Sequence, residues 1–204
     1  MEQKGFSQAL RHAAASRRFD CVMAYHCAPV MAGLKPANLV AIRREDWQGI
    51  EHGLVRSARA LGERQIFFKR LAGCEKRVLL LVYRRDLLTA HLTLPQSSAI
   101  LDRCGYPGGL SLNELLARLT QRISQADAFP HEVGLFLGYP PKDVEGFIQN
   151  NGKNYSLCGN WKVYGDPQEA KQLFSAFEDA RCHYCARVFG GEEIHNITLG
   201  GLAS

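Results

Sequence analysis

The stretch Ile66-Phe67-Phe68-Lys69-Arg70-Leu71-Ala72-Gly73-Cys74-Glu75-Lys76-Arg77-Val78-Leu79-Leu80-Leu81-Val82-Tyr83-Arg84 decides the fold class. Residues 66–71 and 77–84 are two strand-like runs, and Gly73 with the polar Glu75-Lys76 lies between them. Apolar runs of this length, joined by a short polar link, read as an antiparallel hairpin. The longest apolar run, residues 78–83, is far short of the roughly 20 residues that a membrane-spanning helix needs.

Working outward from the hairpin, helical patterns flank it on both sides. Residues 6–17 are alanine-rich and predict a helix, and residues 19–36 predict an irregular segment. Residues 39–42 form a short apolar strand. Asp46 stands where a helix cap is expected, before Trp47, Ile50, Leu54, Ala58 and Leu61 at helical spacing, and Gly62 ends that helix. Beyond the hairpin, short helices are expected over residues 87–92 and 97–104, with a break at 105–109. Ser111 and Glu114 form a capping box for a helix whose apolar face is Leu112, Leu115, Leu116, Leu119 and Ile123. Residues 133–137 read as a buried strand, Pro140-Pro141-Lys142-Asp143 as the start of a short helix, and residues 161–164 as a strand. Asp166-Pro167 marks the start of the last long helix, which runs to Phe189 and is closed by Gly190-Gly191.

Helices mixed with a hairpin and further strands predict an α+β (or α/β) fold. We expect a single domain over residues 1–204, with helices packed on a central mixed sheet and residues 1–18 and 190–204 peripheral. A hydrophobic content of 46% supplies a real core, and a charged fraction of 22% is ordinary for a globular chain. The net charge is +5, but the pairs Arg17-Arg18, Arg43-Arg44 and Arg84-Arg85 are scattered and no nucleic-acid module accompanies them, so no nucleic-acid partner is expected. Seven cysteines, odd in number and unevenly spaced, argue against a disulfide framework. The start, Met1-Glu2-Gln3-Lys4-Gly5-Phe6, lacks the apolar stretch of a signal peptide, so a cytoplasmic protein with reduced thiols and no membrane partner is expected.

Four places hold groups suited to chemistry. In Tyr25-His26-Cys27-Ala28-Pro29, followed by Gly33-Leu34-Lys35-Pro36-Ala37-Asn38, a thiol, an imidazole, an amine and an amide fall close together. A thiol acts only as thiolate and needs a nearby positive charge or base, which His26 or Lys35 could supply, while Asn38 could donate to an oxyanion. In Phe129-Pro130-His131-Glu132-Val133-Gly134, His131 could be a general base oriented by Glu132, although neighbours on a strand point apart. In residues 154–164, Asn154, Tyr155 and Trp161 could line a ligand, and Cys158 precedes a glycine. Cys182-His183-Tyr184-Cys185 has the spacing of half a zinc site without the other half. P-loop, H-E-x-x-H, G-x-S-x-G and EF-hand patterns are missing.

Three stretches taken together, residues 26–40, residues 131–140, and Asp143-Val144-Glu145-Gly146-Phe147-Ile148 continuing through Asn154-Tyr155, Cys158-Gly159 and Trp161-Lys162-Val163-Tyr164, resemble a family of uncharacterised bacterial proteins found mostly in anaerobes. The resemblance runs from about residue 19 to 175. It implies a cytoplasmic protein linked to iron, haem or redox metabolism, and it carries Cys27, Lys35, Asn38, His131, Glu132, Cys158 and Trp161 as shared motif positions without assigning a role to any of them.

The sequence does not name a reaction. The favoured expectation is a thiol-dependent enzyme acting on a small molecule, with Cys27 as nucleophile, His131 as base and Glu132 as its orienter. Lys35, Asn38, Asn154, Tyr155 and Trp161 would bind the substrate. The alternatives are a protein that holds iron, zinc or haem through Cys27, Cys158 and His131, or a non-catalytic regulatory or partner-binding domain. The first two need distant segments to meet in one hollow.

Overall fold

The computed structural model describes residues 17–125 and 129–197. The expected hairpin is its centre: β2 (Ile66–Gly73) and β3 (Arg77–Arg84) pair antiparallel, with a register shift between Arg70 and Ala72. β1 (Ala37–Arg43) pairs antiparallel with the other side of β3, giving the order β1-β3-β2. The sheet is therefore wholly antiparallel, not mixed as expected. Strand β3 shows why its sequence is continuously apolar. Leu80 and Val82 enter one core while Leu81 and Tyr83 enter the other. Alternation with period two places successive side chains on opposite faces, and here both faces are covered.

Helices α1 (Arg18–His26), α2 (Ala28–Met31), α3 (Trp47–Glu63) and the long C-terminal helix, α9 (Pro167–Phe189), cover the first face. α1 and α3 approach so closely that a Cβ on Gly53 would stand 2.2 Å from the Cβ of Phe19. The second face is covered by α4 (Arg85–Leu92), α5 (Pro95–Arg103), α6 (Leu112–Gln125) and α7 (Val133–Phe136), with Val144 from α8 (Pro141–Gln149). A separate two-stranded ribbon, β4 (Leu157–Cys158) with β5 (Lys162–Val163), joins α8 to α9. No helix among the described residues is long and apolar enough to cross a membrane.

Two of the three capping signals hold. The Ser111 N–H donates to Glu114 Oε2 at 2.8 Å and the Glu114 N–H reaches back to Ser111 Oγ at 3.4 Å. Asp166 accepts from the Gln168 N–H at 2.7 Å at the start of α9. Asp46 precedes α3 as expected but does not cap it; its carboxylate pairs with Arg18 and Arg43, each at 2.8 Å.

Two segments differ from expectation. Residues 19–36 hold two helices, because Pro29 falls within the first two positions of α2, where its missing N–H costs nothing. Val133–Phe136 is helix rather than the strand expected over residues 133–137, since a short buried apolar run carries no periodicity that separates the two. The helix expected over residues 6–17 lies, apart from Arg17, outside the described residues. Residues 190–197 are not peripheral: Ile194 and Ile197 are fully buried. Arg17 donates to the Gly191 carbonyl at 2.9 Å and Arg64 to the Ile197 carbonyl at 2.9 Å.

Candidate functional site

Cys27 is the junction between α1 and α2. Its N–H donates to the Met23 carbonyl and its own carbonyl accepts from Val30 and Met31, each at 2.9 Å. This backbone closure turns the side chain inward, and the residue is 0% exposed within the first core. Burial pushes the thiol up to about 12, with the charge of Lys35 pulling weakly the other way. Burial thus disfavours the thiolate, the form in which a cysteine acts as a nucleophile. Asn38, expected as an oxyanion donor, instead donates its amide to the His26 carbonyl, tying the end of α1 to β1.

Lys35 is also buried. Its ammonium lies 5.0 Å from the centroid of the Tyr139 ring. Burial lowers its pKa to about 8, partly opposed by Cys27. The loop before β1 thus reaches the loop after α7. Gly138, at φ 74°, makes that contact possible, because a Cβ there would stand 2.3 Å from Pro36 Cδ.

His131 and Glu132 diverge. Glu132 turns into the second core, accepting from Arg122 Nε at 2.5 Å and from the Tyr106 hydroxyl at 3.3 Å. It does not orient His131. His131 is exposed, with its ring 5.0 Å from that of Phe147 in an edge-on arrangement. Cys158 is exposed on β4. Among the described residues, no group of three or more His, Cys, Asp or Glu side chains is placed to hold a metal ion, so Cys27, Cys158 and His131 do not form the soft-ligand set. Cys182 and Cys185 lie on α9 with Cys182 exposed; burial pushes the Cys185 thiol up to about 11.

What the structure does assemble is a cleft of about 510 Å³ between α7, α8 and β5. Phe129, His131, Tyr139, Phe147 and Trp161 supply its aromatic walls, with Val133, Val144 and Lys162 completing them. Asp143, in the first turn of α8, fixes this arrangement. It is 3% exposed, and its Oδ2 accepts from Trp161 Nε1 at 2.7 Å. Its Oδ1 accepts from the backbone N–H groups of Tyr164 at 2.8 Å and Gly165 at 2.6 Å. A buried carboxylate is costly unless its oxygens are bonded, and three donors meet that need here. The same bonds pin β5 and its following turn onto α8. Trp161 is then clamped on two sides, stacked with Tyr139 at 5.0 Å and 25°, and edge-on to Phe174 at 4.6 Å and 84°.

Lys162 closes one side of the cleft. Its ammonium donates to the Gly152 carbonyl at 2.7 Å and lies 5.0 Å from the Tyr155 ring centroid and 5.7 Å from that of Phe147. Tyr155 and Asn154, expected as ligand-binding residues, are not cleft walls. Asn154, at φ 59°, donates to Asn150 Oδ1 at 3.2 Å and shapes the turn after α8.

Of the expected site residues, the structure brings His131 and Trp161 into one cleft and leaves Cys27, Lys35, Asn38, Glu132 and Cys158 off its walls. Tyr139, Asp143, Phe147 and Lys162 were not assigned a site role from sequence. The signal that could have found Asp143 is its place just after Pro140-Pro141, in a helix opening followed by an aromatic strand.

The family profile that matches the chain covers residues 23–198, and so includes every cleft wall and most of both cores. The chain belongs to DUF3793, a family of proteins of unknown function. No curated protein and no solved structure is similar enough to the chain to count as a match. The DUF3793 match spans the loop that carries Cys27 and Lys35 as well as the cleft, so membership does not choose between them.

Proposed function

We propose that this protein binds a small planar aromatic molecule in the cleft between α7, α8 and β5. The observation that carries the reading is Trp161: its indole is held by Asp143, stacked on Tyr139, and forms a wall of a cavity of about 510 Å³. Small-molecule sites are commonly apolar, aromatic-lined cavities of roughly 300–1,000 Å³ with a few placed polar groups. Rigid ring walls favour a flat partner, because stacked and edge-on contacts add to the area buried. The chemistry supported is binding rather than turnover. The wall carboxylate has both oxygens engaged, and Cys27 is buried with its thiol held protonated. This reading keeps the small-molecule part of the sequence expectation and does not call on its thiol mechanism.

The test uses the indole N–H resonances of ¹⁵N-labelled protein, of which there are two because the chain has two tryptophans. Titration with 2-naphthol should shift the Trp161 signal, assigned through Trp161→Phe, in a saturable way. Its saturated analogue, decahydro-2-naphthol, should bind at least about fivefold more weakly, since it loses the ring–ring contacts. Phe147→Ala, which removes one wall, should weaken 2-naphthol further. An unmoved Trp161 signal, or equal binding by Phe147→Ala, overturns the reading.

A further inference from the structure

We infer that the aromatic ligand of this cleft carries an oxyanion, a carboxylate or phosphate, that pairs with Lys162 at the rim; the inference rests on the cleft reading above. Lys162 and Asp143 are the residues of opposite formal charge on the cleft walls, and they are not equally available. Asp143 accepts from three N–H donors across its two oxygens, so its charge is already met inside the protein. Lys162 has three ammonium hydrogens and, among the described residues, a single hydrogen-bond partner, the Gly152 carbonyl. Two donors remain for a ligand.

The ammonium is also held in position. It lies over the faces of Phe147 and Tyr155, which fixes a flexible side chain by cation–π attraction without consuming its hydrogen-bonding capacity. An immobilised cation loses less freedom on binding than a free surface lysine. His131, whose ring also lies beside Phe147, brings no negative charge to the cleft. Among the described residues, every charge left unmatched on the cleft walls is therefore positive or zero. A ring ligand bearing an oxyanion satisfies Lys162 with a charge-assisted bond, and a cationic ring ligand meets repulsion from it.

The experiment compares compounds that share the naphthalene ring: 2-naphthol, 2-naphthoate, 2-naphthyl phosphate and 2-naphthylmethylammonium, each titrated against the Trp161 indole signal. At least one of the two oxyanions is expected to bind about tenfold or more tighter than 2-naphthol, and the cation more weakly than 2-naphthol. Which oxyanion wins identifies the group. Lys162→Met should reduce the oxyanion preference to within about twofold while 2-naphthol still binds, and Lys162→Arg should retain it. Equal binding of neutral and anionic compounds, or a preference that survives Lys162→Met, overturns the oxyanion inference and leaves the cleft reading standing. If no naphthalene compound shifts Trp161, both fall together.

Discussion

Replacing Lys35 with methionine should stabilise the protein at pH 7 by about 2 kcal/mol. The magnitude follows from the burial of the amine. The folded chain holds the Lys35 proton with a pKa lowered from 10.5 to about 8, which amounts to about 3 kcal/mol of unfavourable free energy while the amine is charged in both states. Loss of the contact with Tyr139 offsets about 1 kcal/mol of the gain. Methionine matches the stem in length and carries no charge. The pH dependence has a defined sign. Below about 8 the amine is charged folded and unfolded, and the penalty is complete. Between about 8 and 10.5 the unfolded chain keeps the proton that the folded chain has released, so the wild type gains stability as pH rises. Cys27 acts in the opposite direction: its thiol is raised from 9.0 to about 12, so stability is lost as pH rises above about 9 in both proteins. The difference between variant and wild type isolates the lysine. Urea unfolding at pH 7 and pH 9.5 measures it, and the advantage of the variant should fall below about 1 kcal/mol at the higher pH. A Lys35→Met protein less stable than wild type at pH 7, or an advantage that does not change with pH, refutes the account of a buried, poorly compensated ammonium.

Two further outcomes follow from the same geometry. Asp143→Asn sets an amide N–H against one of the three donors that now meet a carboxylate, and should cost about 3 kcal/mol in urea unfolding with a displaced Trp161 indole resonance; a loss under about 1 kcal/mol would mean that Asp143 does not organise the cleft. Alkylation followed by mass spectrometry at pH 7.5 should label Cys74 first and Cys27 last. Cys74 is exposed, with its thiol lowered chiefly by backbone N–H donors from Lys76 and Arg77, whereas Cys27 is fully enclosed; early labelling of Cys27 in folded protein would restore the thiol mechanism.

The hairpin was legible because two apolar runs around a polar turn leave the chain one economical pairing. The capping signals at Ser111 and Asp166 were legible because they are local, each fulfilled within three residues. The helices of segment 19–36 are not legible because a proline marks a helix start as readily as a break, and that of 133–136 because so short a buried run does not reveal a period. The reactive-looking groups misled for a different reason. Sequence displays that a thiol and an imidazole are present, but the direction each faces is set by tertiary packing. Cys27 follows the backbone closure at the end of α1 inward, and of the adjacent His131 and Glu132, one faces solvent and the other the core. The role of Asp143 is not legible because its three donors lie 18 to 22 residues further along the chain.

The first and second motif stretches do meet, though through packing rather than through reacting atoms. Pro36 seats against Gly138, and the Lys35 ammonium lies over Tyr139. Tyr139 in turn stacks on Trp161, which Asp143 holds. The chain of contacts therefore runs from the Cys27 loop to the wall of the cleft: the loop buttresses the ring on which the cleft tryptophan rests. Rigid support of this kind is what a site needs if its walls are to hold a flat ligand without reorganising on binding. It also joins residues as far apart as Lys35 and Trp161 in one chain of ring contacts while the thiol between α1 and α2 stays closed to solvent.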